Sequence, residues 1–153
     1  MNGNQILFMD PYLVHYPRQN RNIITSPING IGRRPDRRWK NFRDNLGYIV
    51  SYSRKLNLTE VRPQSSLCST GNCLAQTPTV GAEYLVYAPD GGPFKLDLSA
   101  MPNSRRLAVE WFNPSAGTTI SRPPITAGSS FEPFTGPFSG DAVLYLVDTA
   151  GHR

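Results

Sequence analysis

The chain has 153 residues, enough for one ordinary domain and short for two. A content of 39% hydrophobic and 18% charged residues fits a folded protein, and thirteen glycines and fourteen prolines promise many turns. The formal charge of +5 is uneven, since residues 1–80 carry eleven Lys or Arg against four Asp or Glu (+7) and residues 81–153 carry five against seven (−2).

The opening MNGNQILFMDPY lacks the basic n-region and long apolar stretch of a signal peptide. A secreted or periplasmic parent protein would therefore carry its signal upstream. No run approaches the ~20 apolar residues that span a bilayer, which argues against a membrane partner. Gln5 to Met9 is a short apolar run ending in Asp10-Pro11-Tyr12. Such a run fits a strand buried on both faces, as in a parallel α/β sheet. Asp10 would then stand where α/β barrels place their active sites, with Tyr12 and His15 following into the loop, so these three are candidate cleft residues. The competing reading is that Asp10 only caps a turn.

Residues 16–36 are rich in Arg, Asn, Pro and Gly and read as a long loop, of a kind that is often functional. A helix is predicted over 35–56, with Asp36 as N-cap and Trp39, Phe42, Leu46, Ile49, Val50 and Ser53 along its apolar face. Gly47 weakens that helix by roughly 1 kcal/mol relative to alanine. The run from Arg33 to Arg43 holds several cations with Trp39 and Phe42 between them. Phosphate binding and base stacking would suit it. The aromatics continue the helical face, however, so a solvated helix start that pairs with acids of another domain is the better account. Arg37 and Arg38 are the residues on which a nucleic-acid reading would stand.

Cys68 and Cys73, in Cys-Ser-Thr-Gly-Asn-Cys, are spaced for a small disulfide loop, and two reduced, partly buried thiols are the alternative. With no histidine nearby they make a poor zinc site, and no cofactor or metal motif appears elsewhere. Neither histidine has a partner in sequence for catalysis, and the sequon Asn57-Leu58-Thr59 bears on glycosylation only in a eukaryotic secretory route.

From Glu83 the texture becomes β. Glu83–Tyr87 is a strand, and Asp90-Gly91-Gly92 has the glycines of a tight hairpin turn. Phe94, Leu96 and Leu98 alternate with Lys95 and Asp97, and Leu107, Val109 and Trp111 alternate with Glu110. Asn113 to Gly117 turns into Thr118–Ser121, and Phe131–Phe134 and Ala142–Val147 complete about six strands, the spacing of an antiparallel β-sandwich. The chain is thus predicted to be mainly β, an incomplete α/β segment over 1–80 preceding a sandwich over 81–148. The acids Glu83, Asp97 and Glu110 read as members of solvated faces. Tyr84, Tyr87, Trp111 and Phe112, with the other aromatics, exceed what six strands must bury, and exposed rings suit sugars or extended peptides. Core packing is the competing reading, and the stronger one for Trp111.

Two sets of motifs point to a known pairing. Leu7-Phe8-Met9-Asp10-Pro11-Tyr12, Asn45-Leu46-Gly47-Tyr48 and Ser69-Thr70-Gly71-Asn72-Cys73-Leu74-Ala75 resemble the end of an apiosidase-like glycoside hydrolase barrel. Glu83-Tyr84-Leu85-Val86-Tyr87, Asp90-Gly91-Gly92, Val109-Glu110-Trp111-Phe112-Asn113-Pro114 and Val143-Leu144-Tyr145-Leu146 resemble the C-terminal sandwich attached to such barrels, the family called "putative collagen-binding domain of a collagenase". The resemblance implies a (β/α)8 hydrolase of plant or microbial polysaccharide with a non-catalytic sandwich packed on it. It also implies that the catalytic acids lie on barrel strands upstream, so none is assigned here, while Asp10 and Tyr12 would line the cleft. Cys68 departs from the family pattern. The expected function is that of a non-catalytic C-terminal part with a structural or polymer-binding role. The alternatives are an independent module for collagen-like polymers and, remotely, a nucleic-acid binder.

Overall fold

A computed structural model describes residues 40–77, 80–102, 104–128 and 130–150, with the side chains of 40–43 excepted. The strand at Gln5–Met9, the loop at 16–36, the Asp36 cap, the basic run and Asp10, Tyr12 and His15 lie outside the described residues or side chains. The packing below belongs to the compact unit Gly47–Arg153.

The described chain is mainly antiparallel β. Helix α1 (Lys40–Lys55) leads into β1 (Arg62–Pro63), a 3₁₀ turn at Ser65–Leu67, β2 (Cys73–Gln76), β3 (Glu83–Ala88) and β4 (Pro93–Leu96). Then follow β5 (Arg106–Asn113), β6 (Thr118–Thr126), β7 (Glu132–Thr135) and β8 (Ala142–Asp148). Six strands form one sheet in the order β1-β2-β3-β8-β5-β6, and β4 and β7 form a second, smaller one. All six predicted strands occur. β1 and β2 are additional, so the sheet begins before residue 81.

The Asp90-Gly91-Gly92 turn forms, but the hairpin expected around it does not. β3 pairs with β2 and β8, whereas β4 pairs with β7, so the turn carries the chain from one sheet to the other. The strand pattern explains the need for this step. Tyr84, Val86, Leu107, Val109, Trp111, Leu144 and Leu146 all alternate onto one face of the large sheet and are buried there. That face needs a lid, and Phe94 and Leu96 of β4 with Phe134 of β7 supply it. The Phe94 ring meets Trp111 edge-on at 6.0 Å and stacks on Phe134 at 5.8 Å. Each large side chain so buried contributes on the order of 1.5–3 kcal/mol.

The β5–β6 hairpin closes through Asn113, whose backbone carbonyl accepts from the Gly117 N–H at 2.8 Å and whose side chain accepts from the Ala116 N–H at 3.0 Å. Farther along, Leu107 pairs with Ile125 and Val109 with Arg122, so Pro123 and Pro124 together oppose Ala108. This is a β-bulge on an edge strand, where residues without an N–H do least harm. At the opposite edge β1 is two residues long and includes Pro63. Both edges are thereby poor templates for further strands.

The second face of the large sheet is partly covered by α1. Tyr48 and Tyr52 pack on Phe112 at 5.0 and 5.3 Å between ring centroids, and Tyr52 meets Tyr145 at 6.2 Å. Leu56 and Val61 bury against Tyr145 beside Leu85 and Val147. The residues that α1 and the bend just after it lay on the sheet are therefore Tyr48, Tyr52 and Leu56, four apart, which corrects the predicted face. Ile49 and Val50, counted as apolar-face residues, are 54% and 49% exposed. Glu110 holds the helix in place, accepting from the Tyr52 hydroxyl at 2.9 Å and from the Lys55 ammonium.

Candidate functional site

Antiparallel pairing aligns side chains from distant parts of the chain on this second face. Pro63 pairs with Leu74, Leu74 with Leu85, and Leu85 with Tyr145, giving one apolar row across four strands. Tyr87 pairs with Val143, and Val143 with Phe112, giving a second row. Helix α1 covers the Tyr145 and Phe112 ends of these rows. The remaining ends stay open and form a groove of about 460 Å³, with Pro63, Leu74, Leu85, Tyr87 and Val143 in its lining. Ser65 and Asn72 add the short polar side chains of the wall.

The groove is of ordinary ligand size. No charged side chain lines it. Tyr87 is its one aromatic, 41% exposed, with a ring that can offer a flat apolar face and a hydroxyl to a ligand. The backbone behind it is fixed, because the Tyr87 N–H donates to the Asn72 carbonyl at 2.9 Å. An arrangement of this kind can hold a neutral, extended molecule by contact and a few hydrogen bonds.

The carboxylates of the same sheet face are engaged elsewhere. Glu83 is 3% exposed and accepts from the Asn57 N–H at 3.0 Å, which corrects its reading as part of a solvated face. Glu110 serves Tyr52 and Lys55. Burial, and after it the nearby Glu110 charge, holds the Tyr52 phenol well above the usual tyrosine range, and burial followed by Glu83 and Glu110 does the same for Tyr145. Asp97 lies below the ordinary carboxylate range because the Ser99 hydroxyl and N–H bond it. Glycoside cleavage needs two carboxyl groups facing one another across the scissile bond. The groove lining contributes none. Among the described residues no group of three or more His, Cys, Asp or Glu could hold a metal, and no helix is long and apolar enough to cross a membrane.

Of the four aromatics considered for binding, only Tyr87 reaches the groove. Tyr84 and Trp111 are buried between the two sheets, and Phe112 lies beneath Tyr48 and Tyr52. Their exposure as a binding surface is thereby corrected. They alternate onto faces that another layer covers. Phe131, in contrast, is 55% exposed and has a positive φ of 60°. Cys68 and Cys73 are both buried and stand as free thiols in this structure. Sequence reasoning missed Pro63, Leu74, Leu85 and Val143 as lining residues, since nothing in their local sequence shows that the strands carrying them become neighbours.

Comparison with known proteins places this fold. The model of the family described as "Putative collagen-binding domain of a collagenase" matches residues 69–146, more than half of the chain. The chain belongs to this family. Its matched segment runs from the loop before β2 nearly to the end of β8, and so includes most of the groove. No curated protein sequence matches the chain. Among solved structures, it is similar to a family 5 glycoside hydrolase from Bacteroides vulgatus, at 18% identity and a TM-score of 0.55, over 69% of this chain and 24% of the other. A second structure, titled "Glycoside hydrolase", matches at 18% identity and a TM-score of 0.51, over 67% and 24%. At this identity the likeness is one of fold, and the chain spans about a quarter of the length of the structures it matches.

Proposed function

We propose that the sandwich of this collagen-binding-domain family member is a non-catalytic accessory domain that holds an extended neutral polymer along the Tyr87 groove. In this reading the segment ahead of β1 is the end of a (β/α)8 glycoside-hydrolase-like barrel of the apiosidase type, and the strands from β1 onward are the sandwich attached to it, which moves the expected division at residue 81 upstream. Asp10, Tyr12 and His15 would belong to the barrel's cleft, and the missing upstream barrel would be the principal partner. Neither nucleic acid nor membrane enters the proposal.

The observation that carries it is the groove itself, an apolar strip with one exposed ring and no acid in its lining. Such a surface suits a polymer that presents flat C–H faces or extended backbone, and it supplies no groups for bond cleavage. The similarity of fold to parts of glycoside hydrolases favours a polysaccharide. The family description favours the second reading, a module for collagen-like polypeptide that works without a barrel.

Retention of the full chain on pectic polysaccharide and on insoluble collagen, beside a glycosidase assay, tests both. Retention without hydrolysis is expected. Tyr87→Ala should weaken it about tenfold, since truncating a central aromatic contact costs on the order of 1–2 kcal/mol. Retention on collagen alone would favour the second reading. Equal retention of Tyr87→Ala would remove the groove from the account, and hydrolysis by the chain would overturn the non-catalytic role.

A further inference from the structure

The segment 67–73 passes between the two sheets and is fastened at both ends. Its first end joins the small sheet. Cys68 bridges Leu96, the Ser69 N–H donates to the Lys95 carbonyl at 3.0 Å, and the Asp97 N–H donates to the Leu67 carbonyl at 2.7 Å. Its second end joins the large sheet, where Cys73 pairs with Val86. Between them the Gly71 N–H donates to the Cys68 carbonyl at 3.1 Å, and Gly71 takes a φ of 73° that a side chain would resist. The chain thus doubles back, and its two cysteines come to the same place.

Both belong to one core cluster, at 5% and 4% exposure. Burial first, then the neighbouring Cys68 thiol by charge and hydrogen bonding, push the Cys73 thiol up to about 12. The Cys68 sulfur also lies 3.1 Å from the Thr70 hydroxyl. Two buried thiols thus lie close together, Cys73 on a strand of the large sheet and Cys68 bridged to the small one.

We propose that Cys68 and Cys73 close to an intramolecular disulfide when the chain folds in the presence of a disulfide oxidant, clasping the small sheet to the edge of the large one. With glutathione disulfide as oxidant, one cysteine thiolate attacks it, forming a mixed disulfide and releasing one glutathione thiolate. The second cysteine thiolate then attacks the protein sulfur of that mixed disulfide, forming the Cys68–Cys73 bond and releasing the second glutathione. Two electrons pass to glutathione, and the two thiol protons end on the released glutathiones. A buried, protonated thiol is a poor nucleophile, so closure belongs to folding and the reduced native chain reacts slowly. The proposal is independent of what the groove binds, although the bond would also fix the Gly71–Cys73 wall.

The test refolds the full chain from urea into a buffer of reduced and oxidised glutathione, and keeps a native reduced sample in the same buffer. Intact mass and alkylation in denaturant are then read for both. The expected refolded product is a monomer lighter by two hydrogens that resists alkylation until reduced, with a cross-linked peptide joining Cys68 to Cys73. The native sample should convert far more slowly. Should refolding yield be low, the full chain exported to a bacterial periplasm gives the same readout. Two alkylated thiols, or glutathione retained on either cysteine, in material that has regained its β-sheet spectrum would overturn the proposal.

Discussion

Gly91 takes a φ of 62°, and a methyl group on its Cα would fall 1.7 Å from the backbone oxygen of Gly140. Two requirements thus meet at one residue, a left-handed backbone and room for a second chain to pass. The left-handed conformation alone costs a residue with a Cβ about 1–2 kcal/mol, and the contact is with backbone that no rotamer change can relieve. Gly91→Ala should therefore lower unfolding stability by at least about 2 kcal/mol, read as a lower urea midpoint at unchanged slope. Tyr84 presents the opposite case. Its ring is fully buried, and its hydroxyl has no hydrogen-bond partner among the described residues. An orphaned buried hydroxyl costs about 1–3 kcal/mol. Tyr84→Phe should accordingly raise the urea midpoint, by an amount equivalent to about 1 kcal/mol. A loss of stability would mean that the hydroxyl has a partner.

At the scale of elements, α1 shows what a sequence pattern conveys and what it withholds. Its existence follows from apolar spacing, but the face does not. Counting aliphatic side chains selects Leu46, Ile49 and Val50, whereas the sheet is covered by Tyr48, Tyr52 and Leu56. Tyrosine was undercounted there because it looks half polar, yet its ring fills the space over Phe112 and its hydroxyl reaches Glu110. Gly47 was legible as a weak point, and the structure places it on an exposed helical position with nothing within 4 Å of an added Cβ. Gly47→Ala should therefore stabilise the chain by about 0.5–1 kcal/mol, measured as a higher melting temperature, and no change would show that the helix is frayed there. The strands were legible where β-formers alternate with polar residues, as in Leu107, Val109 and Trp111. β2, Cys-Leu-Ala-Gln, has neither β-branched nor aromatic residues and carries no strand signal of its own. It is a strand because β3 lends it a partner. The groove was illegible for a related reason, since Pro63, Leu74, Leu85 and Val143 become neighbours only through strand order, which local pattern does not encode.

For the whole molecule, the consequence of covering a sheet on both faces is that groups able to lose a proton are shut in while neutral. Tyr84 and Cys73 lie between the sheets and are each pushed up to about 12, chiefly by burial. Tyr52 and Tyr145 lie between the large sheet and α1 and are raised as well, by burial and by the carboxylates beside them. In the unfolded chain Cys73 would lose its proton near 9.0 and the tyrosines near 10.0. Above those values the folded state binds more protons than the unfolded one, so stability falls as pH rises. Their contribution is complete below about pH 9 and is lost progressively toward the raised folded values, with the decline steepening once the tyrosines join above about pH 10. Because the groups are divided between the two layers that flank the large sheet, both interfaces weaken together. Alkaline unfolding should be a single transition, not a loss of α1 alone. Urea midpoints from pH 7 upward, with phenolate absorbance recorded on the same samples, check this. Phenolate from Tyr52, Tyr84 and Tyr145, three of the chain's seven tyrosines, should appear only in step with loss of the β-sheet signal. A midpoint unchanged to about pH 11, or phenolate from all seven tyrosines while the sheet is intact, would show that these rings are open to solvent and that the layers do not seal them.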